Sequence, residues 1–289
     1  MTKNPSIQKS NAQARTQKTI IRILQYFCLL VVSFISLLPV VSSFLISFKT
    51  ADDYGASRAI DLPKVWSMEN YKQIIDDGKL LNGFLYSAIV VVVVVFLSVM
   101  MGAMLAYVLN RFRFPGNNLI RNAFMIATLI PGIAMQVTTF QLMTDLKMTN
   151  TLWGYIILMS GTDVISIYIF LQYFENLDTA LDESAVLEGC TYFGVFFKIL
   201  LPLLVPAIIT VTILKGVGVY NEYYNANLYL QTKNYYTVST ALYSFSGPFK
   251  SSYNIICAGV LLSLLPPLAI FLIFQKQVYA GLASGSVKG

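Results

Sequence analysis

The chain has 289 residues, 56% of them hydrophobic and 12% charged, and its mean hydropathy of +0.65 lies far from a soluble globular average, so it reads as an integral membrane protein. The absence of histidine excludes histidine-based catalysis and histidine metal sites, and Cys28, Cys190 and Cys257 are too scattered for a disulfide framework or a metal-ligand spacing. The net charge of +6 does not point to nucleic acid, because Lys3, Lys9, Arg15, Lys18 and Arg22 crowd the first residues and Arg111, Arg113 and Arg121 crowd one later loop, a segregation that marks membrane orientation.

A bilayer-crossing helix takes about 20 predominantly apolar residues, and six stretches qualify, at roughly 20–47, 84–109, 119–143, 152–174, 200–222 and 254–280. Ahead of them, residues 1–18 are polar and read as a disordered arm. The apolar run that follows is too long for a signal-peptide core and lacks a small-residue cleavage site, so it is expected to remain as the first span. By the positive-inside rule the arm and the loop "NRFRFPGNNLIRN", two crossings later, both lie in the cytoplasm. An even number of spans puts the C-terminus there too. The loop from Lys49 to Leu81 then faces outward, with turn signals such as Asp76-Asp77-Gly78. The second span carries the most hydrophobic run, "AIVVVVVVFL", whereas Pro131 and Gln136 interrupt the third and Pro206 and Lys215 the fifth. The fold class is therefore all-α and polytopic: an arm at 1–18, a membrane domain at 19–280 and a short tail at 281–289.

Two ionisable residues fall inside spans, where a charge costs roughly 2.5–3.5 kcal/mol even on insertion scales. Asp163 lies ~16 Å from the outer end of the fourth span and Lys215 ~20 Å above the inner end of the fifth, at 1.5 Å per residue. In a ~30 Å core these depths differ by ~6 Å, so the two side chains reach either each other or the hydroxyls of a sugar in a wet cavity. Between those spans lies a loop with Asp178, Asp182, Glu183 and Glu188. It is inside by parity, yet Lys198 is its only basic residue. "TALDESAVLE" reads as a helix with Thr179 as cap and acids favouring the dipole of its first turn. Gly189 permits a break, and "CTYFGVFFKILLP" is a second amphipathic piece ending at Pro202. Beyond the fifth span, "VYNEYYNANLYL" interleaves Tyr220, Tyr223 and Tyr224 with Asn221, Glu222 and Asn225. Rings beside amides suit a sugar's C–H faces and hydroxyls, and an interfacial aromatic belt gives the same letters.

Glu183-Ser184-Ala185, three intervening residues, Gly189, nine intervening residues and Ile199-Leu200-Leu201-Pro202 resemble the EAA loop of ABC-importer permeases, EAA-x3-G-x9-I-x-LP, within a coupling loop at 178–202. The resemblance extends along the chain to the maltose-type second permease of the carbohydrate-uptake branch. "MENYKQI" (68–74), "LAYVLNRFRFPG" (105–116), "YNEYY" (220–224) and the ending "QKQVYAGLASGSVKG" each look like segments of that branch. Ser184 stands where the pattern has alanine, Asp178 where proline is common, Glu188 for a frequent aspartate and Tyr220 for tryptophan.

The resemblance implies a type I ABC-importer permease fold with both termini cytoplasmic, in a bacterial cytoplasmic membrane. Its implied partners are a second, homologous permease subunit, two copies of a cytoplasmic ATPase, an extracellular substrate-binding protein, a sugar or oligosaccharide, and membrane lipid. It implies ATPase coupling through Glu183, Ser184, Ala185, Gly189, Ile199 and Pro202, and a tail contact with the ATPase through Gly281, Gly285 and Lys288. The substrate pathway expected from the residues is Asp163, Lys215, Tyr220, Asn221, Glu222, Tyr223 and Tyr224. No catalytic or metal residues are expected, and with no P-loop pattern in the chain, ATP and Mg belong to the partner ATPase. The competing class is a self-contained, ion-coupled secondary transporter, which pairs broken-helix repeats with an intramembrane relay. A membrane-embedded enzyme lacks paired acids, a metal cluster or an activated nucleophile.

Overall fold

The computed structural model describes residues 5–161, 163–232, 235–247 and 252–286, with side chains between 18 and 276. Its elements are helical: α1 (Pro5–Ser47), α2 (Ala51–Ala56), α3 (Glu69–Asp76), α4 (Lys79–Arg111), α5 (Asn117–Ala127), α6 (Gly132–Asp145), α7 (Leu152–Met159), α8 (Val164–Glu175), α9 (Ala180–Leu187), α10 (Tyr192–Val195), a π-helical turn at Phe196–Leu200, α11 (Leu201–Leu203), α12 (Val205–Asn221), α13 (Tyr224–Tyr229), α14 (Val238–Tyr243) and α15 (Tyr253–Ser286). Where residues 1–18 read as a disordered arm, α1 begins at Pro5. Proline suits a first helical position, and residues 6–17 hold no glycine or further proline, so the helix extends from the apolar span without a new nucleus. Residues 1–4 lie outside the described residues.

Three of the expected spans are continuous, over Lys18–Ser47, Lys79–Arg111 and Tyr253–Lys276. Where the other three are expected, the chain forms pairs of helices bent at a short break. The third is α5 and α6, bent by 101°; the fourth is α7 and α8, bent by 49°; the fifth is Tyr192–Leu203 followed by α12, bent by 77°. Each break has a local cause. Pro131 sits at extended dihedrals as the cap of α6, and a proline holds the residue before it out of the helical region. Asp163 leaves the helical region to cap α8, its Oδ1 accepting from Ser166 N at 2.7 Å. Pro206 occupies the first turn of α12, where its missing N–H costs nothing.

The centre of the packing is α4, which lies against α8, α12, α14 and α7. Gly83, Ser87, Ser98, Gly102, Ala103 and Ala106 are buried along it, and such small residues let membrane helices approach closely. Ser98 Oγ donates across to Ser160 O at 3.1 Å. One core cluster joins the C-terminal half of α4 to Phe170 and Phe174 of α8 and to Ala185, Val195, Phe196 and Leu200 of the coupling loop. A second joins Val90 and Val94 to Tyr155, Val219 and Tyr229. A third, of Ile74, Leu80, Val238, Ala241 and Ile255, ties α3 and α14 to the start of α4 and to α15.

The first and last spans meet at a buried polar knot. Asn70 Nδ2 donates to Ser47 O and to Lys49 O, both at 2.8 Å, and its Oδ1 accepts from Asn254 Nδ2 at 2.7 Å. The Lys49 side chain is fully enclosed, its Nζ donating to Ser57 Oγ at 2.8 Å and Arg58 O at 2.6 Å. "NYKQI" is thus a structural signature: Asn70 makes the knot, Tyr71 OH bonds Ser47 Oγ at 2.8 Å, and Ile74 enters the core.

Candidate functional site

The loop at 178–202 folds as a helix, a tight reversal and a second helix. Thr179 precedes α9 but makes no side-chain cap; Asp178 Oδ1 accepts from Ala180 N at 3.0 Å instead. The acceptor thus lies one residue earlier than expected, because Thr179 takes helical dihedrals. Gly189 ends the helix at φ +89°. Around it Gly189 N donates to Val186 O at 3.0 Å and Cys190 N to Ala185 O at 2.9 Å, the bond pair of a Schellman cap. A Cβ on Gly189 would meet no atom within 4 Å, so the backbone conformation, rather than space, calls for glycine. Thr191 Oγ1 then caps α10, accepting from Gly194 N at 3.2 Å. The π-helical turn follows, with Ile199 half-buried within it, and Pro202 comes just after. Proline cannot donate to the carbonyl four residues back, and a widened turn before it is one way for the helix to accommodate that.

Ala185 points into the core at 5% exposure, while Glu183 and Ser184 face outward beside Leu187, which is 88% exposed. The outward face of α9 therefore carries one carboxylate, one hydroxyl and one bare leucine. Beneath it, Arg111 Nε lies 2.6 Å from Asp182 Oδ2, with the two side chains 8% and 16% exposed. Arg111 also donates to Leu177 O at 2.9 Å and Phe174 O at 3.4 Å. Burial pushes the Asp182 carboxyl up, against the pull of Arg111. Sequence reasoning passed over this pair: Arg111 looked like one more positive-inside charge and Asp182 like one more acid of the loop.

Asp163 and Lys215 meet. Lys215 Nζ is 3.7 Å from Asp163 Oδ2 and donates to Gly161 O at 3.3 Å, so Lys215 of α12 reaches across to the break between α7 and α8 where Asp163 sits. The Tyr/Asn segment does not form one surface. Tyr220 OH donates to Ser263 O of α15 at 2.7 Å, the Tyr223 ring lies 4.6 Å from that of Tyr243 in α14, and Tyr224 and Asn221 are exposed. Glu222 Oε1 accepts from Asn225 N at 2.8 Å, and Asn225 Oδ1 accepts from Gln136 Nε2 at 2.9 Å, bridging α13 to α6. Gln136 was read only as an interruption of a span. In the tail, Gly281 and Gly285 fall on the course of α15, which runs to Ser286, and Lys288 lies outside the described residues. No group of three or more metal-binding side chains occurs among the described residues.

The model of the family "binding-protein-dependent transport system inner membrane component" matches residues 98–283. The arabinooligosaccharides transport system permease protein AraQ of Halalkalibacterium halodurans is 30% identical over 89% of this chain and 93% of its own. The trehalose transport system permease protein SugB of Mycobacterium tuberculosis is 29% identical over 88% of this chain and 93% of its own. Among solved structures, a chain from a bacterial ABC transporter involved in import of the acidic polysaccharide alginate superposes with a TM-score of 0.80, over 90% of this chain and 97% of that one, at 19% identity. At that identity the likeness speaks for the fold.

Proposed function

The chain belongs to the family of binding-protein-dependent transport system inner membrane components, whose matched relatives here are sugar ABC-transporter permeases, and we propose that it is the subunit through which a sugar or oligosaccharide crosses a bacterial cytoplasmic membrane. In this reading a second permease subunit completes the channel, an extracellular binding protein delivers the sugar, and two copies of a separate ATPase hydrolyse ATP with Mg. Both termini are cytoplasmic.

The observation that carries the reading is the coupling loop. An exposed face of Glu183, Ser184 and Leu187 stands on a helix ended by a positive-φ glycine and rooted in the core through Ala185 and the Arg111–Asp182 pair. Closure of the ATPase dimer would press on that face and rock the spans between inward-facing and outward-facing states. The broken fourth span, with Asp163 and Lys215 at its break, and the segment Tyr220–Tyr224 are assigned to the translocation route, because irregular backbone at membrane depth is tolerated where it lines a wet cavity. Purifying the chain by a tag in mild detergent tests the proposal. Recovery of an ATPase and a second permease, with ATP hydrolysis raised by a sugar-loaded binding protein, is the expected outcome. Recovery of the chain alone, with uptake that survives ATP depletion and collapses with the ion gradient, would replace it with ion-coupled transport.

A further inference from the structure

A push on α9 can leave the coupling loop in two directions, and their stiffness differs. Toward α12 the chain departs from regular helix at three points: Gly189 at φ +89°, the π-helical turn Phe196–Leu200, and the 77° bend before Val205. Toward α8 the connection is short and pinned. Arg111, the last residue of α4, holds the first turn of α9 through Asp182 and the end of α8 through the carbonyls of Leu177 and Phe174, with its guanidinium 5.9 Å from the Phe174 ring centroid. A planar fork reaches these partners together, which an ammonium cannot do. The pair is nearly dry, at 8% and 16% side-chain exposure, so the contact is screened less than a surface pair.

We infer that Arg111 is a positioning residue that makes α9 and the cytoplasmic ends of α4 and α8 one rigid lever, so that motion of α9 is delivered along α4 while α12 flexes. At 33 residues α4 is ~50 Å long. Its far half holds α14 through Ser87 Oγ, which accepts from Val238 N at 3.0 Å. The lever thus runs from the docking face to the opposite end of the molecule. The inference rests on reading α9 as the ATPase-docking helix.

The test uses the complex purified through this chain, with Cys28, Cys190 and Cys257 replaced by serine. Spin labels at Thr179→Cys, at the start of α9, are paired with Leu81→Cys on the outer end of α4 or with Val217→Cys on α12, both exposed positions. Distances are measured without nucleotide and after trapping with ATP and vanadate. The expected result is an unchanged, narrow α9–α4 distance and a shifted α9–α12 distance. In Arg111→Met the α9–α4 distance should broaden and become nucleotide-dependent while the ATPase still copurifies, a readout that general destabilisation does not produce. Asp182→Asn should act in the same direction, and carries the test if Arg111→Met does not assemble. An α9–α4 distance that stays narrow and unchanged in both variants overturns the inference, as does one that already shifts in the parent chain. Loss of the ATPase from the parent preparation would instead overturn the docking reading beneath it.

Discussion

Neutralising the charges at the break of the fourth span tests the site most directly. At 3.7 Å, two unit charges attract by about 4 kcal/mol at an effective dielectric of 20 and about 1 kcal/mol in water. Lys215 is 16% exposed and Asp163 36%, so solvent screens the pair appreciably, and the net coupling should be about 1–2 kcal/mol. The single variants should differ. With Lys215→Met, the Asp163 carboxylate keeps the Ser166 N–H and the N-terminal dipole of α8. With Asp163→Asn, Lys215 keeps its charge and its hydrogen bond to the Gly161 carbonyl at 3.3 Å but loses the carboxylate, while the asparagine still caps α8. Asp163→Asn should therefore cost more stability than Lys215→Met, and the double variant should recover most of the loss. Thermal unfolding of the purified complexes measures this, at roughly 2–4 °C per kcal/mol. A coupling below about 0.3 kcal/mol, within ordinary additivity, or the reverse order of the singles, would refute the electrostatic reasoning. Sugar uptake on the same complexes decides the role. If the residues line the route, the double variant is stable and transports poorly, whereas recovered uptake removes both from the translocation route.

Gly189→Asp places a side chain at φ +89°, and either it or Glu183→Lys should abolish uptake in protein that still inserts; normal transport by well-expressed Gly189→Asp sinks the docking assignment. Deleting residues 281–289 should change sugar-stimulated ATP hydrolysis in the assembled complex, and unchanged hydrolysis would strip the tail of a coupling role. Asn70→Ala removes three buried hydrogen bonds at once and should cost roughly 2–4 kcal/mol, read as a lowered unfolding temperature; a shift under 1 °C would mean that the knot carries little.

The parts of this molecule legible in its sequence are those governed by local rules. Hydropathy located the three continuous apolar helices and the stretches that form the three bent pairs, and glycine at 189 anticipated a backbone turn that a side chain would resist. The spacing within 183–202 placed helix, reversal and second helix correctly. Depth and orientation were less accessible. Pro131 and Pro206 marked interruptions, yet nothing in a hydropathy window distinguishes a kinked span from one folded back by 101°. Tyr220, Tyr223 and Tyr224 looked like one surface because they are neighbours in sequence, but the end of α12 at Asn221 turns them toward α15, α14 and the exterior. The Arg111–Asp182 contact joins segments with no shared periodicity, so it emerges only once α4, α8 and α9 are packed together.

The knot around Asn70 also sets an order of assembly. Asn70 and the end of α1 reach the membrane early in synthesis, but the Asn254 amide that occupies the Asn70 Oδ1 comes 184 residues later, on the last helix to be made. Until then α1 lacks α15, the helix it packs against, and a side chain that ends up buried has an acceptor to fill. A nascent or truncated chain lacking α15 therefore leaves uncovered an amide oxygen that the packed chain conceals, a chemical difference between the two.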